Sequence, residues 1–121
     1  MQENIILVCV TNQVDGEKLI KEGCRIAEKE NFQLKVLNIQ NNNQSKNLKG
    51  TSSEYLFNIC KFLNIEMQVY WGNNFSDILI NYIQRNKINK LVLGRSSKSE
   101  QNNFVQEVQK AFPNIPVFIV E

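Results

Sequence analysis

The sequence predicts an α/β fold in which a doubly wound, five-stranded parallel sheet carries helices on both faces. Three observations lead there. Short apolar runs alternate with longer segments of helical periodicity in the order βαβαβαβαβ. Several of those runs are rich in Val, Ile and Leu without polar alternation, as strands covered on both faces are. The 121 residues suit one compact domain, residues 1–121, which five strands and four helices use up.

The first strand is Ile5-Ile6-Leu7-Val8-Cys9-Val10, which Thr11-Asn12-Gln13 leaves. Leu19, Ile20, Gly23, Ile26 and Ala27 then recur at helical spacing, and Asp15 is placed to cap that helix. Leu34 to Ile39 forms the second strand. Between Gln40 and Gly50 almost every residue is polar, which predicts a mobile loop. Thr51-Ser52-Ser53-Glu54 has capping-box spacing ahead of a helix with Tyr55, Leu56, Ile59, Cys60 and Leu63 on one face. Ile65 to Tyr70 is the third strand, ended by Trp71-Gly72. Asn73-Asn74 and Ser76-Asp77 announce a third helix with Phe75, Ile78, Leu79, Tyr82 and Ile83 inward. Leu91-Val92-Leu93 is the fourth strand, ending at Gly94. After a polar loop from Arg95 to Asn102, Asn103 is expected to cap the last helix, which Pro113 stops. Val117-Phe118-Ile119-Val120 is the final strand.

Composition narrows the chemistry. Hydrophobic residues make up 42% and charged residues 21%, a globular balance that excludes disorder and coiled coil. Fourteen basic against twelve acidic residues leave a net charge of +2, too even to expect a nucleic-acid partner. With no histidine, Ser-His-Asp and Cys-His catalysis and histidine-ligated metal sites are excluded, and no metal is expected. Cys9, Cys24 and Cys60 form no Cys-x-x-Cys pair and are expected to be free buried thiols. No leader pattern precedes Ile5–Val10, the longest apolar stretch, which is too short to cross a membrane. A cytoplasmic setting without a membrane partner is expected.

An open α/β sheet binds ligands outside the carboxyl ends of its strands, where strand order reverses. With strand 1 central, that point lies between strands 1 and 3 or strands 1 and 4. The loops that matter are Thr11 to Gln13, Asn38 to Asn43, Trp71 to Asn74, and Gly94 to Asn103. Thr11-Asn12 and Trp71-Gly72 stand where a phosphorylated receiver needs acids, and neither a G-x-G-x-x-G fingerprint nor a G-x-x-x-x-G-K-[ST] loop is present. Gly94-Arg95-Ser96-Ser97-Lys98-Ser99 has the composition of a phosphate cradle. Its glycine permits close backbone approach, its serines offer hydroxyls, and Arg95 and Lys98 supply charge ahead of a helix N-terminus. The same run reads equally well as a solvated surface loop.

Ile5 to Thr11 with the helix through Glu17-Lys18-Leu19-Ile20, Lys90-Leu91-Val92-Leu93-Gly94-Arg95-Ser96-Ser97, and Phe104 through Val120 together resemble a universal stress protein (UspA) domain. The version inside the potassium-sensing histidine kinase KdpD is the most similar. The resemblance spans essentially the whole chain and is weakest at Gln40 to Gly50. It implies an adenine nucleotide alpha hydrolase-like sheet of order 3-2-1-4-5, a switch point between strands 1 and 4, and homodimers joined through strand 5. It also implies a small signalling or stress-response module that binds an adenine nucleotide. Contacts would come from Thr11 and Asn12, from Ile39 at the end of strand 2, and from Gly94, Arg95, Ser96, Ser97, Ser99, Asn102 and Asn103.

The family's ATP motif has an aspartate after strand 1 and G-x2-G-x9-G-[ST] after strand 4. Here Thr11 replaces the aspartate, Ser97 the second glycine, and Asn102-Asn103 the final pair after a shorter loop. An added Cβ blocks close backbone approach, and a missing carboxylate removes a bidentate ribose partner. Ser97 and Ser99 are also similar to the serine-containing loop through which some KdpD domains respond to cyclic di-AMP. Two functions follow. One is a module binding ATP, AMP or cyclic di-AMP. The other is a dimeric adaptor that has lost the ATP motif and serves a sensor kinase or other signalling partner. No pair of acids stands out as an acid/base couple, so no enzymatic activity is expected.

Several residues have ordinary roles. Trp71 either stacks on a base or caps the core. Tyr55, Tyr82 and the phenylalanines are expected to pack, and Lys87 and Lys90 to be solvated. Asp15, Glu17 and Asp77 complement helix dipoles. Val117, Phe118, Ile119 and Val120 make an apolar sheet edge that invites a second copy about a twofold axis.

Overall fold

The computed structural model describes residues 4–11, 16–40, 53–72, 74–94 and 99–120. Nine elements alternate: β1 (Ile5–Val10), α1 (Gly16–Glu30), β2 (Gln33–Gln40), α2 (Ser53–Phe62), β3 (Glu66–Trp71), α3 (Phe75–Asn86), β4 (Lys90–Gly94), α4 (Ser99–Ala111) and β5 (Val117–Val120). Each strand pairs in parallel with its neighbours in the order β3-β2-β1-β4-β5. The chain first winds outward from β1 to β3 and then crosses back to β4, so the order reverses between β1 and β4.

Every residue of β1 is buried, as its lack of polar alternation requires. Its side chains divide between two cores. Ile5, Leu7 and Cys9 join Leu79 and Ile83 of α3, Val108 of α4, and Leu37, Leu91 and Leu93 of the flanking strands. Ile6, Val8 and Val10 join Leu19 and Ile20 of α1, Leu56 and Cys60 of α2, and Val36 and Val92. Each such side chain gains about 1.5–3 kcal/mol on leaving water, so the two cores hold the three layers together.

Helix α1 buries the residues its periodicity selects: Leu19, Ile20, Gly23, Ile26 and Ala27. Gly23 is there because nothing larger fits. A Cβ at this position would collide with Val8 Cγ2 and stand 3.2 Å from Leu34 Cδ1. Helix α3 is capped at its start by Asn74, whose Oδ1 accepts from the Asp77 amide at 3.1 Å, and at its end by Lys87 in the left-handed region.

Several expectations need correction. Helix α4 begins at Ser99, so Asn102 and Asn103 lie within it rather than in a loop and at a cap. Once Val105, Val108 and Phe112 dock on the core, extending the helix backward through polar residues is a cheap propagation step. Tyr55 is exposed rather than packed, and its hydroxyl donates to Glu17 Oε1 at 2.7 Å. Phe57, Phe62 and Leu63 are also exposed, because Leu56 and Cys60 fill the inner face of α2. Trp71 belongs to β3 and is 62% exposed, so it does not cap the core. Lys90 is partly buried, its ammonium paired with Glu30 and lying 5.0 Å from the Phe32 ring and 5.7 Å from the Phe118 ring. Cys9 and Cys60 are buried and Cys24 is half-buried. The Asp15 cap, the Thr51 capping box and the loop at 41–50 lie outside the described residues. Among the described residues no helix is long and apolar enough to cross a membrane.

Replacing a helical glycine by alanine ordinarily stabilises by about 0.5–1 kcal/mol. At Gly23 the collision with Val8 outweighs that gain. We expect Gly23→Ala to lower unfolding free energy by about 1–2 kcal/mol in urea titrations, and the double variant with Val8→Ala to lose less than the sum of the two single losses. An unchanged or raised midpoint for Gly23→Ala contradicts this packing.

Candidate functional site

The carboxyl ends of β2, β1 and β4 lie side by side at the point where strand order reverses. Val10, the last residue of β1, stands in register with Asn38 on β2. Asn38 is fully buried and its Nδ2 donates to the Val10 carbonyl at 2.9 Å. Its Oδ1 accepts from Gln40 Nε2 at 2.7 Å. Asn38 and Gln40 are two residues apart on one strand, so both side chains leave the same face. The Gln40 main-chain oxygen accepts from the Gly72 amide at 2.9 Å, which ties the exit of β3 to the end of β2.

Thr11 and Gln40 are each only 8% exposed. Among the described residues, neither the Thr11 hydroxyl nor Gln40 Oε1 has a hydrogen-bond partner. A buried acceptor or hydroxyl left unmet costs about 1–3 kcal/mol. Two of them on adjacent strand ends are what a polar ligand would satisfy.

Of the residues singled out from sequence, the structure brings Thr11, Ile39 and Gly94 together on adjacent strand ends. The Ile39 side chain is packed in the core with Leu37, so any ligand contact it makes is through its main chain. Gly94 closes β4 and is half-buried. Ser99, Asn102 and Asn103 belong to the N-terminal turns of α4. Asn12, Arg95, Ser96 and Ser97 lie outside the described residues. Trp71 is on the outermost strand, with β2 between it and β1, and so stands apart from the reversal point.

Asn38 and Gln40 fall in the Asn38 to Asn43 segment that the sequence marks as a strand end of interest, but neither is singled out there as a contact residue. Their signal was an amide pair at strand spacing inside an apolar run, Val36-Leu37-Asn38-Ile39-Gln40. Such a pair on a buried face needs partners that the strand itself cannot supply.

Elsewhere in the molecule several titratable groups are shifted by their surroundings. The Tyr55 hydroxyl and Lys21 hold the Glu17 carboxyl below its usual range, with Lys21 Nζ 3.1 Å from Glu17 Oε2. The Ser76 hydroxyl donates to Glu107 Oε1 at 3.1 Å and joins α3 to α4. Burial pushes the Cys9 thiol up to about 12. Burial, with Cys24 nearby, pushes Cys60 up to about 11. Burial, then Glu66 and Tyr70, pushes the Tyr82 hydroxyl up to about 12. Neither buried thiol is a nucleophile at neutral pH. No cluster of three metal-ligating side chains occurs among the described residues.

No family model and no curated protein matches the sequence. Solved structures do match its shape. A universal stress protein in complex with cAMP superposes with a TM-score of 0.68 and 15% identity, covering 98% of this chain and 97% of that one. The Archaeoglobus fulgidus universal stress protein in complex with dAMP gives 0.57 and 12%, over 99% and 98%. An Arabidopsis thaliana universal stress protein family member with AMP bound gives 0.59 and 14%, over 97% and 90%. The chain therefore has the universal stress protein fold.

Cys9, Cys60 and Tyr82 keep their protons to higher pH when folded than when unfolded. The unfolded chain thus binds fewer protons in alkali, and stability must fall as pH rises. The contribution is whole below about 9, the ordinary thiol value, and is lost progressively toward about 12. Urea midpoints are expected to decline steadily from about pH 9 upward. A flat profile across that range contradicts the burial of these groups.

Proposed function

We propose that this chain is a small signalling or stress-response module that binds an adenine nucleotide across the carboxyl ends of β2, β1 and β4. The observation that carries the reading is the pair of buried polar groups on Thr11 and Gln40, without partners among the described residues, beside the reversal of strand order. The ligands of the three structural neighbours, cAMP, dAMP and AMP, support it, since they share an adenine, a sugar and one phosphate. Strands lie about 4.8 Å apart, so the ends of β2 and β4 are separated by about 10 Å, the reach of a mononucleotide from base to phosphate. The base then lies toward β2, the sugar at Thr11, and the phosphate at Gly94, the run Arg95-Ser96-Ser97-Lys98 and the start of α4.

Thr11 offers a sugar one hydroxyl where the ATP motif has a carboxylate, and Ser97 and Asn102 carry side chains where that motif has glycine. These departures favour AMP over ATP, with cyclic di-AMP the third candidate. The site residues supply amides and hydroxyls rather than an acid and a base, which supports binding without turnover. The likeness of Lys90 to Ser97 to the KdpD domain supports a sensor kinase as the partner.

The module is further proposed to dimerise through β5. This is an edge strand, and Ile119 on it is 40% exposed, whereas Phe118 is half-buried beneath the Lys90 ammonium. Ile119 rather than Phe118 is therefore the residue that tests the contact.

In thermal unfolding, AMP at millimolar concentration is expected to raise Tm; saturation about a hundredfold above Kd stabilises by about 2.7 kcal/mol. If AMP, ATP and cyclic di-AMP all leave Tm unchanged, the adaptor function replaces this reading. Sedimentation at micromolar concentration is expected to show a dimer that Ile119→Lys converts to a folded monomer, whose Tm no longer rises with protein concentration. A monomeric parent protein overturns the β5 contact.

A further inference from the structure

We propose that the outer edge of β3, with the groove beside it against α2, docks an extended segment of another protein. That segment adds to the sheet as a further strand, antiparallel to β3, and carries an acidic side chain for Lys61. The proposal is independent of the nucleotide reading, which concerns the carboxyl ends of β2, β1 and β4.

The edge is open and regular. β3 stands at the end of the sheet, with β2 on one side and no strand on the other among the described residues. Its register with β2 runs without a bulge from Lys35 opposite Glu66 to Gln40 opposite Trp71. Main-chain groups point to alternate sides along a strand. The Gly72 amide donates to the Gln40 carbonyl, so the even-numbered residues face β2. Met67, Val69 and Trp71 therefore direct their N–H and C=O groups outward. Natural sheets guard such an edge with lysine, proline or a bulge. β3 has none of these, and its one charge, Glu66, is its first residue.

The side chains beside the edge are apolar and uncovered. Met67, Val69 and Trp71 leave one face, the face on which α2 packs. Trp71 is 62% exposed, and Phe57 on α2 is 49% exposed. Between α2 and the amino ends of β2 and β3, a groove of about 650 Å³ opens against Leu34, Phe57, Lys61, Ile65 and Met67. Lys61 is exposed and has no ion-pair partner among the described residues. Glu66 also borders the groove, but its side chain leaves the opposite face, where Lys35 is its neighbour in register.

These features specify the occupant. An antiparallel strand meets Met67, Val69 and Trp71 in hydrogen-bonded pairs, in which directly opposed side chains share a face. Apolar residues at every second position of the segment thus cover the exposed face. The next position on that face falls opposite Ile65, at the groove that Lys61 also lines. An acid there meets the ammonium. A second β3 would complete the same ladder, but the chain has no acid between Glu66 and Asp77 and so offers Lys61 nothing.

Trp71 is the chain's single tryptophan and stands on the edge, so its emission reports occupancy. The peptide acetyl-Val-Thr-Val-Thr-Val-Thr-Glu-amide is expected to shift that emission to the blue, with a Kd below about 1 mM. N-methylation of the valine amides, which face β3, is expected to abolish the shift, whereas N-methylation of the threonine amides leaves it. Lys61→Glu is expected to weaken binding about fivefold, and a peptide ending in lysine to recover the loss in that variant. A merely structural role for Lys61 would lower Tm and gain nothing from the exchanged peptide. Absence of a shift, or one indifferent to which amides are methylated, overturns the proposal. A blue shift that grows with protein concentration, without peptide, assigns the edge to a second copy and overturns it as well.

Discussion

Strand β1 has a hydrogen-bonded neighbour on each edge and a helical layer on each face, so all six of its residues are buried. That enclosure constrains everything around it. Its odd-numbered side chains belong to the core under α3 and α4, and its even-numbered ones to the core under α1 and α2. Neither core could be assembled without the other. The close seat of α1 on β1, which Gly23 permits by having no Cβ over Val8, continues the same constraint into the helical layer.

The end of this strand is also where enclosure becomes incomplete. Past Val10 the sheet presents polar groups rather than valine and isoleucine, and they remain buried. Among the described residues, the Asn38 amide donates to the Val10 carbonyl and the Gln40 amide donates to Asn38. A protein interior tolerates a short amide chain when every member is paired. Here Gln40 Oε1, the last atom of that chain, and the Thr11 hydroxyl on the neighbouring strand end find no partner among the described residues. The buried thiols of Cys9 and Cys60 stay protonated at neutral pH.

Much of the architecture was legible in the residues. The unbroken apolar run of β1, the spacing of Leu19, Ile20, Gly23, Ile26 and Ala27, and Asn74 ahead of α3 are local signals, each read within one or two turns of chain. The site was legible only in part. Thr11 and Gly94 follow from the rule that ligands sit at strand ends, Ile39 from the resemblance, and the structure places the three on adjacent strands. Asn38 and Gln40 did not stand out, because amides near the end of a strand look like the beginning of a polar loop. The start of α4 was misplaced for a related reason: Ser99 through Asn103 have the composition of a loop, and docking of the later turns is what draws them into the helix.

The sequence by itself determined the order of elements, the faces they bury and the absence of histidine chemistry, because periodicity and composition are properties of neighbouring residues. Tertiary structure alone decided what depends on register. The Asn38 amide meets a carbonyl 28 residues earlier in the chain, and Lys90 meets Glu30 across 60 residues. The exposure of Tyr55 and Trp71 was decided in the same way, by which neighbours had already filled the space. A hydrogen bond between two strands has no trace in either strand alone. Its partners are chosen when parallel pairing sets Val10 opposite Asn38.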